Sequence, residues 1–400
     1  MSELADRIYD VIVVGAGPAG SHVAYELAAA GHSVAVLEQK TAPGTDICCT
    51  GIISAECFEL LDPGQEVILR RTHSAKLVSP SGRSLRIESE KLQAYVVDRP
   101  LLDRILASRA ESRGAQYFPS TRVIDVVPGE DGIQVEALRM GVRGVFKARA
   151  VVLASGCGSK LPAKLGLGRR GSFLVGAQTE VEARDLDGLE VHFGRKLAPG
   201  SFAWLVPVSA NKAYAGLLAT CRARSHLQKF VDRLFNEGRI AGQMTGIRQK
   251  LVPVGTAACS YGERTLVVGD AAGHVKPTTG GGIYFGHLGA RIAAGVLDRA
   301  LTSDDLSSDR LSQYQKEWQA GIGKELSPAH RARRAFARLS DRQLESIFSL
   351  LDSDGMTETL VKSDDFSFDW HGTALLSFLR HGSVYPLLKI KRLLSHEARA

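Results

Sequence analysis

One glycine-rich stretch near the start of the chain restricts its fold more than any other feature. Tyr9 to Val14 read as a buried strand, and Gly15, Gly17 and Gly20 follow at the spacing Gly-x-Gly-x-x-Gly. A largely apolar run from His22 to Ala30 then stops at Gly31. The first glycine permits a tight turn, the second lets backbone approach a pyrophosphate, and the third lets the helix pack on the strand. Amides and dipole at the helix start favour an anion. Ser33 to Leu37 forms the next strand, and Glu38 at its end suits ribose hydroxyls and disfavours a 2′-phosphate. The pattern predicts a Rossmann-like α/β unit holding an adenine dinucleotide, with Gly15, Gly17, Ala19, Gly20, Glu38 and Gln39 as contacts. It does not separate a flavin from a nicotinamide dinucleotide.

A second stretch, roughly 250 residues later, separates them. A strand from Arg264 to Val268 leads to Gly269 and Asp270, then to Pro277, Gly280, Gly281, Gly282 and Ile283. The Asp270 carboxylate suits a hydroxyl such as the flavin ribityl chain offers. The glycines let the chain pass close to a planar ring. A helix from Ile283 to about Leu297 turns its positive end toward the pyrimidine edge, where negative charge appears on reduction. The two stretches together predict FAD. Arg99, ahead of a helix from Leu101 to Arg113, is a further candidate donor to pyrophosphate or ribityl chain, the alternative being a solvated arginine. A strand ending at Ala154 runs into Ser155, Gly156 and Gly158 and adds a parallel neighbour.

In these segments the chain resembles the geranylgeranyl reductase family, inside the larger group of FAD enzymes shaped like para-hydroxybenzoate hydroxylase. The glycine fingerprint and the Arg99–Asp103 segment are shared across that group. The stretch from Gly269 to Ile283 is similar to the reductase form, in which Pro-Thr-Thr/Ser-Gly-Gly-Gly-Ile recurs. Ser201 to Pro207 resembles the family's Tyr-x-Trp-x-Phe-Pro, with Phe202 and Val206 as departures. Cys49 and Gly51 match its Cys-x-Gly element. The resemblance spans roughly residues 8–300. It implies a reductase that saturates carbon–carbon double bonds of a prenyl lipid, quinone or diphosphate. Hydride would pass from the flavin across about 3–3.5 Å.

Strand patterning in the middle of the chain puts Phe202, Trp204 and Pro207 on a substrate wall, the alternative being that Phe202 and Trp204 are simply core residues, and the resemblance implies that Cys49, with Gly51, is catalytic. A thiol of pKa about 8.5 is mostly protonated at neutrality and can relay a proton; the alternative is a small apolar filler. His274, Tyr284 and water are other proton donors. Ser155 stands where the hydroxylases commonly carry Asp, so the electron donor is NAD(P)H or a ferredoxin-like protein. Two alternatives share the fold. One is a monooxygenase or halogenase with Lys76 as the oxidant-carrying residue, and the other is an electron-transfer flavoprotein.

Short runs of alternating polarity fill residues 165–255, including Phe173 to Gln178, Gly188 to Phe193, Phe202 to Val208 and Ala213 to Ala219. Their period of two predicts an antiparallel sheet. A prenyl chain gains about 0.8 kcal/mol per buried CH₂, so such a wall needs few polar groups. The expected fold class is α/β. A Rossmann-like FAD-binding domain (1–70, 95–165, 260–310) is interwoven with an antiparallel-sheet substrate domain (71–94, 166–259), and a C-terminal helical segment (311–400) follows.

The net charge of +7 is modest for 400 residues and carries no nucleic-acid signal. Six cysteines without paired spacing argue against a metal site and suit a reducing compartment. No run approaches the 18 or so apolar residues of a membrane span. These features predict a cytoplasmic protein, with peripheral membrane contact as a further option. Arg331, Arg333, Arg334 and Arg338 share one helical segment, and Val384 to Leu394 mixes apolar and basic positions as interfacial helices do, the alternative being a docking helix with a solvated basic face.

Overall fold

In the computed structural model, residues 7–353 and 368–370 are described, apart from 90, 130, 169–171, 184, 185, 242, 243 and 245. The basic stretch at 384–394 lies outside the described residues.

The run Ile8–Val14 is apolar at almost every position because it is covered on both faces. It pairs in parallel with Val34–Leu37 on one side and with Val142–Leu153 on the other. The sheet continues outward through Gln116–Phe118 at one edge and through Thr265–Val267 to Tyr261–Gly262 at the other. Val11, Val13, Val34, Val36 and Val152 point to one face, where the helices Pro18–Ala29, Arg99–Ser112 and Ile283–Thr302 pack. Ile12, Val14, Ala35, Leu37 and Leu153 point to the other, under the hairpin Thr121–Pro128 and Ile133–Arg139. This strict alternation is what fixes the register.

The second sheet runs in the order Ile240–Ala241, Phe173–Ala183, Lys212–Ala219, Phe202–Pro207, Leu189–Phe193, Ser74–Val78, Ser84–Glu88, with Arg248–Pro253 also paired to Phe173–Ala183. It is antiparallel except where Leu189–Phe193 runs parallel to Ser74–Val78. Alternation identifies its strands but not the helix Ala223–Asn236. That helix puts Leu227, Phe230, Val231 and Leu234 on one face of the sheet. The opposite face presents Phe202, Trp204, Leu218 and Val252. A small sheet of Ile52–Ser54, Ala94–Val97 and Ile68–Thr72 stands beside them.

Three further helices follow, Ser308–Ala320, Gly323–Phe336 and Asp341–Ser353. The first is anchored by Trp318, whose indole donates to Ser260 Oγ at 2.9 Å, and by Tyr314, whose hydroxyl donates to the Val267 carbonyl. The other two bring Phe336 and Phe348 against Phe193. The helix expected at Leu101–Arg113 begins earlier. Asp98 caps it by accepting from the Leu101 amide, so Arg99 lies in its first turn rather than ahead of it.

Candidate active site

The parallel strands Ile8–Val14, Val34–Leu37, Val142–Leu153 and Thr265–Val267 all finish at one edge of the sheet, the usual ligand edge of such a fold. Gly15, Glu38, Ser155 and Gly269 follow those ends and line one cavity of about 1250 Å³. That exceeds the roughly 300–1,000 Å³ of an ordinary ligand pocket. Its walls also hold Gly17, Ala19, Gly20, Gln39, Cys49, Arg99, Asp270, Gly281, Gly282, Ile283, Phe202 and Trp204. Two expected residues lie elsewhere. Gly51 sits behind the wall, and Pro207 is buried at the end of its strand.

Locally, each FAD candidate has a physical reason for its place. A Cβ on Gly20 would come within 2.0 Å of the Gly15 carbonyl, so only glycine lets this helix approach the turn. A Cβ on Gly17 would meet nothing within 4 Å, which leaves a cradle open toward the cavity. Glu38 accepts from the amides of Ala16 and Lys40, each at 2.8 Å, and so holds the turn in shape. A Cβ on Gly269 would lie 3.0 Å from the Ala19 Cβ, so glycine there lets the two glycine stretches come together. Ser155 Oγ and Thr278 Oγ1 are buried on this wall with no hydrogen-bond partner among the described residues. Open cradle, spare hydroxyls and volume fit a flavin dinucleotide.

Charge gathers near the cysteine loop. Arg99 is buried and donates to Asp103 Oδ1 at 2.8 Å. Burial works against its charge, but Asp103 and the adjoining Cys49 raise its pKa overall. It is therefore a paired wall residue, neither solvated nor a free reach toward phosphate. Asp270 Oδ2 lies 2.8 Å from Lys250 Nζ, and this carboxylate raises the pKa of the lysine. The Gly51 amide donates to Cys49 Sγ at 3.4 Å, and Gln178 Nε2 donates to the Cys49 carbonyl. Gly51 has φ +75°, and a Cβ there would lie 2.2 Å from the Val97 carbonyl. Its task is to seat the loop that carries Cys49. Burial pushes the neighbouring Cys48 thiol up to about 11.

A second charged group closes the cavity on another side. Lys276 Nζ donates to Asp369 Oδ1 at 2.5 Å and to the Phe368 carbonyl at 3.2 Å, and Asp369 also accepts from Ser54 Oγ. Tyr284 lines the cavity, donating to Glu56 and accepting from the Trp370 indole, and burial followed by Glu56 raises its pKa. His274 is fully buried against Trp318, away from the cavity wall, and burial pushes its pKa down to about 3. It cannot serve as the proton donor from there. Lys76 is exposed, 3.8 Å from Glu190, and its side chain is not part of the wall.

Sequence reasoning missed Lys250, Asp103, Lys276, Asp369 and Arg333. Asp103 carried a signal, since Arg99 and Asp103 stand four apart on a helix. Lys276 lay inside a stretch singled out for its glycines. Among the described residues, no three His, Cys, Asp or Glu side chains gather as metal ligands, and no helix is long and apolar enough to cross a membrane.

Comparison with known proteins identifies the family. The FAD binding domain family matches residues 8–320. Digeranylgeranylglycerophospholipid reductase from Methanocaldococcus jannaschii is 32% identical over 363 residues, covering 88% of this chain and 92% of the relative. A reductase of the same name from Methanothermobacter thermautotrophicus is also 32% identical, covering 86% and 92%. The chain belongs to the FAD binding domain family, in the group of relatives that carry this reductase name. It is an FAD-dependent oxidoreductase. Among solved structures, a geranylgeranyl bacteriochlorophyll reductase-like protein from Thermoplasma acidophilum superposes with a TM-score of 0.83 at 22% identity, covering 96% of this chain and 99% of that one. A flavin-dependent brominase reaches 0.70 at 16% identity, covering 94% and 98%. Both likenesses describe the fold.

Proposed function

We propose that this protein is a prenyl reductase, saturating carbon–carbon double bonds of a geranylgeranyl-type lipid, quinone or diphosphate. The observation that carries the proposal is the continuity of the cavity. The cavity that holds the residues of the two glycine stretches is also lined by the apolar sheet face of Phe202, Trp204, Leu218 and Val252. Gly280 is where the two sides approach, since a Cβ there would lie 3.0 Å from Leu218 Cδ1 and 3.3 Å from Val252 Cγ1. An apolar chain laid along that face is held by burial, at about 0.8 kcal/mol per CH₂.

The two glycine stretches would hold FAD, which when bound and reduced would supply a hydride to one alkene carbon. The other carbon needs a proton, and Cys49 is the wall residue we assign to deliver it. Arg99 and Lys250 place positive charge around the sulfur that is left negative. Asp270 and Lys250 orient the ribityl side of the site, and the glycine turn at Gly15–Gly20 takes the pyrophosphate. The electrons enter from NAD(P)H or a ferredoxin-like protein, and a lipid substrate gives the basic stretch 384–394 a role in peripheral membrane contact. The exposed, Glu190-paired position of Lys76 gives no support to a halogenase or monooxygenase.

The test uses FAD-loaded protein reduced without oxygen. Adding a geranylgeranyl phospholipid should restore the oxidised flavin spectrum, with product mass rising by two hydrogens per flavin reoxidised. A spectrum that recovers only when oxygen is admitted would overturn the proposal.

A further inference from the structure

The helix Gly323–Phe336 holds three of the four basic-segment arginines, Arg338 lying beyond its end; Arg331 and Arg334 are exposed, as is Arg338, while Arg333 is turned inward and only 5% exposed. It lines the same cavity as the glycine turns, together with Ala332 and Phe336 of its own helix. Its Nε and Nη1 are buried without a hydrogen-bond partner among the described residues. Among the described residues, the Phe336 ring, 6.0 Å from its guanidinium carbon, is the compensating contact it has. Burial pushes its pKa down, and no described carboxylate counters that shift.

A guanidinium stays charged in proteins. Burying one without a counter-charge costs several kcal/mol, so native sites rarely do it unless a ligand completes the pair. The fork of Nε and Nη1 matches the oxygens of a phosphate, which such a fork binds through two parallel charged hydrogen bonds. The surroundings say how that anion is attached. A row of rings, Trp204, Phe202, Phe193 and Phe336, runs with centroids about 6 Å apart from the sheet face to the Arg333 helix. An anion at Arg333 thus has an apolar track leading from it toward Gly280.

We propose that Arg333 is the anion-binding residue of the substrate site and receives the phosphate of a prenyl phosphate or phospholipid headgroup, while the prenyl chain lies along the ring row. The choice of a prenyl phosphate over another oxyanion rests on the prenyl reductase proposal. Anchoring the headgroup at a fixed point also fixes which double bond along the chain is presented at the glycine loop.

The test is equilibrium binding to oxidised, FAD-loaded protein, measured by calorimetry with geranylgeranyl phosphate and with uncharged geranylgeraniol. Arg333→Gln should weaken the phosphate at least about tenfold, as loss of a charged hydrogen bond does, and leave geranylgeraniol within about twofold. Arg333→Lys should fall between. Equal weakening of both ligands, or of neither, overturns the anion site. The wild-type protein supplies a check that needs no variant: it should prefer the phosphate by at least about tenfold, and equal affinities overturn the site. Competition by inorganic phosphate separates headgroup from free anion. Free phosphate that binds as tightly as geranylgeranyl phosphate overturns the assignment to a prenyl headgroup. Reoxidation of the reduced protein distinguishes the two proposals. Tight phosphate binding without reoxidation sinks the reductase and leaves the anion site. Normal reoxidation with unchanged affinity in Arg333→Gln does the reverse.

Discussion

Lys250 Nζ lies 2.8 Å from Asp270 Oδ2, and this pair ties the antiparallel sheet to the loop that follows the last parallel strand. Lys250 belongs to Arg248–Pro253 and Asp270 to the turn after Thr265–Val267, so the contact joins the two halves of the cavity. The lysine restrains the carboxylate that we assign to a ribityl hydroxyl, but the carboxylate itself makes the proposed contact.

Asp270→Ala should therefore weaken FAD binding at least about tenfold, the effect of a lost hydrogen bond to a charged group. Lys250→Met should weaken it less than about fivefold, because half-exposed ion pairs contribute only about 1 kcal/mol or less. Flavin fluorescence titration of the apoprotein measures both. An Asp270→Ala protein that held FAD like the wild type would remove this carboxylate from the cofactor site.

Lys276 and Asp369 form a different kind of pair, both nearly inaccessible to solvent. Asp369→Ala leaves the buried Lys276 with a ring and a carbonyl as its remaining partners among the described residues. Breaking such a pair costs about 3–5 kcal/mol. Urea unfolding should register that loss, and Lys276→Met in the same chain should recover part of it. A loss within about 1 kcal/mol would mean that residues 368–370 do not hold this side of the cavity.

Cys49→Ala tests the assigned proton donor. A positioned general acid contributes about 10²–10⁴ in rate, so flavin reoxidation by a prenyl lipid should slow at least about a hundredfold while FAD content stays unchanged. A rate within threefold or so would transfer the role to Tyr284, the other titratable cavity residue considered for it, or to water.

Local rules made much of the fold legible. Tyr9 to Val14 and Ser33 to Leu37 carry strand patterning, the glycines mark a turn whose geometry few other residues allow, and period-two runs announce the second sheet. The helix Ala223–Asn236 also had its signal, with Leu227, Phe230, Val231 and Leu234 at helical spacing. The neighbouring strand pattern hid it. What stayed illegible depends on contacts between distant segments. Nothing local to Lys250 says that it meets Asp270, and nothing local to Asp369 says that it meets Lys276. Arg333 shows the limit most plainly. In sequence it is one of four arginines on a basic helix, and only the rotation of that helix against Phe193 separates it from its exposed neighbours.

Acid should loosen the protein at the joint between the two glycine stretches. His22 on Pro18–Ala29 and His287 on Ile283–Thr302 stack with centroids 3.6 Å apart. Burial first, then His287 and Arg291, holds His22 down to about 3; burial and Arg291 hold His287 down to about 4. Both are neutral in the folded protein at neutral pH. The unfolded chain, with histidine near 6.5, takes up protons below that pH while the folded chain does not, so stability falls as pH drops from about 6.5 toward 4. Between pH 7 and pH 5 each ring accounts for a loss of about 2 kcal/mol. Glu190 acts later. Burial opposes its charge, but His192 and Arg239 bring its pKa down to about 2, and its contribution fades only below about 4.5. Urea unfolding at pH 7 and pH 5 should therefore show a smaller acid loss in a His22→Gln, His287→Gln variant than in the wild type, by about 4 kcal/mol. Because these two helices follow the two glycine stretches proposed to hold FAD, flavin release should begin in the same pH window, ahead of general acid unfolding. An identical pH slope in variant and wild type would show that the stacked rings do not control this joint.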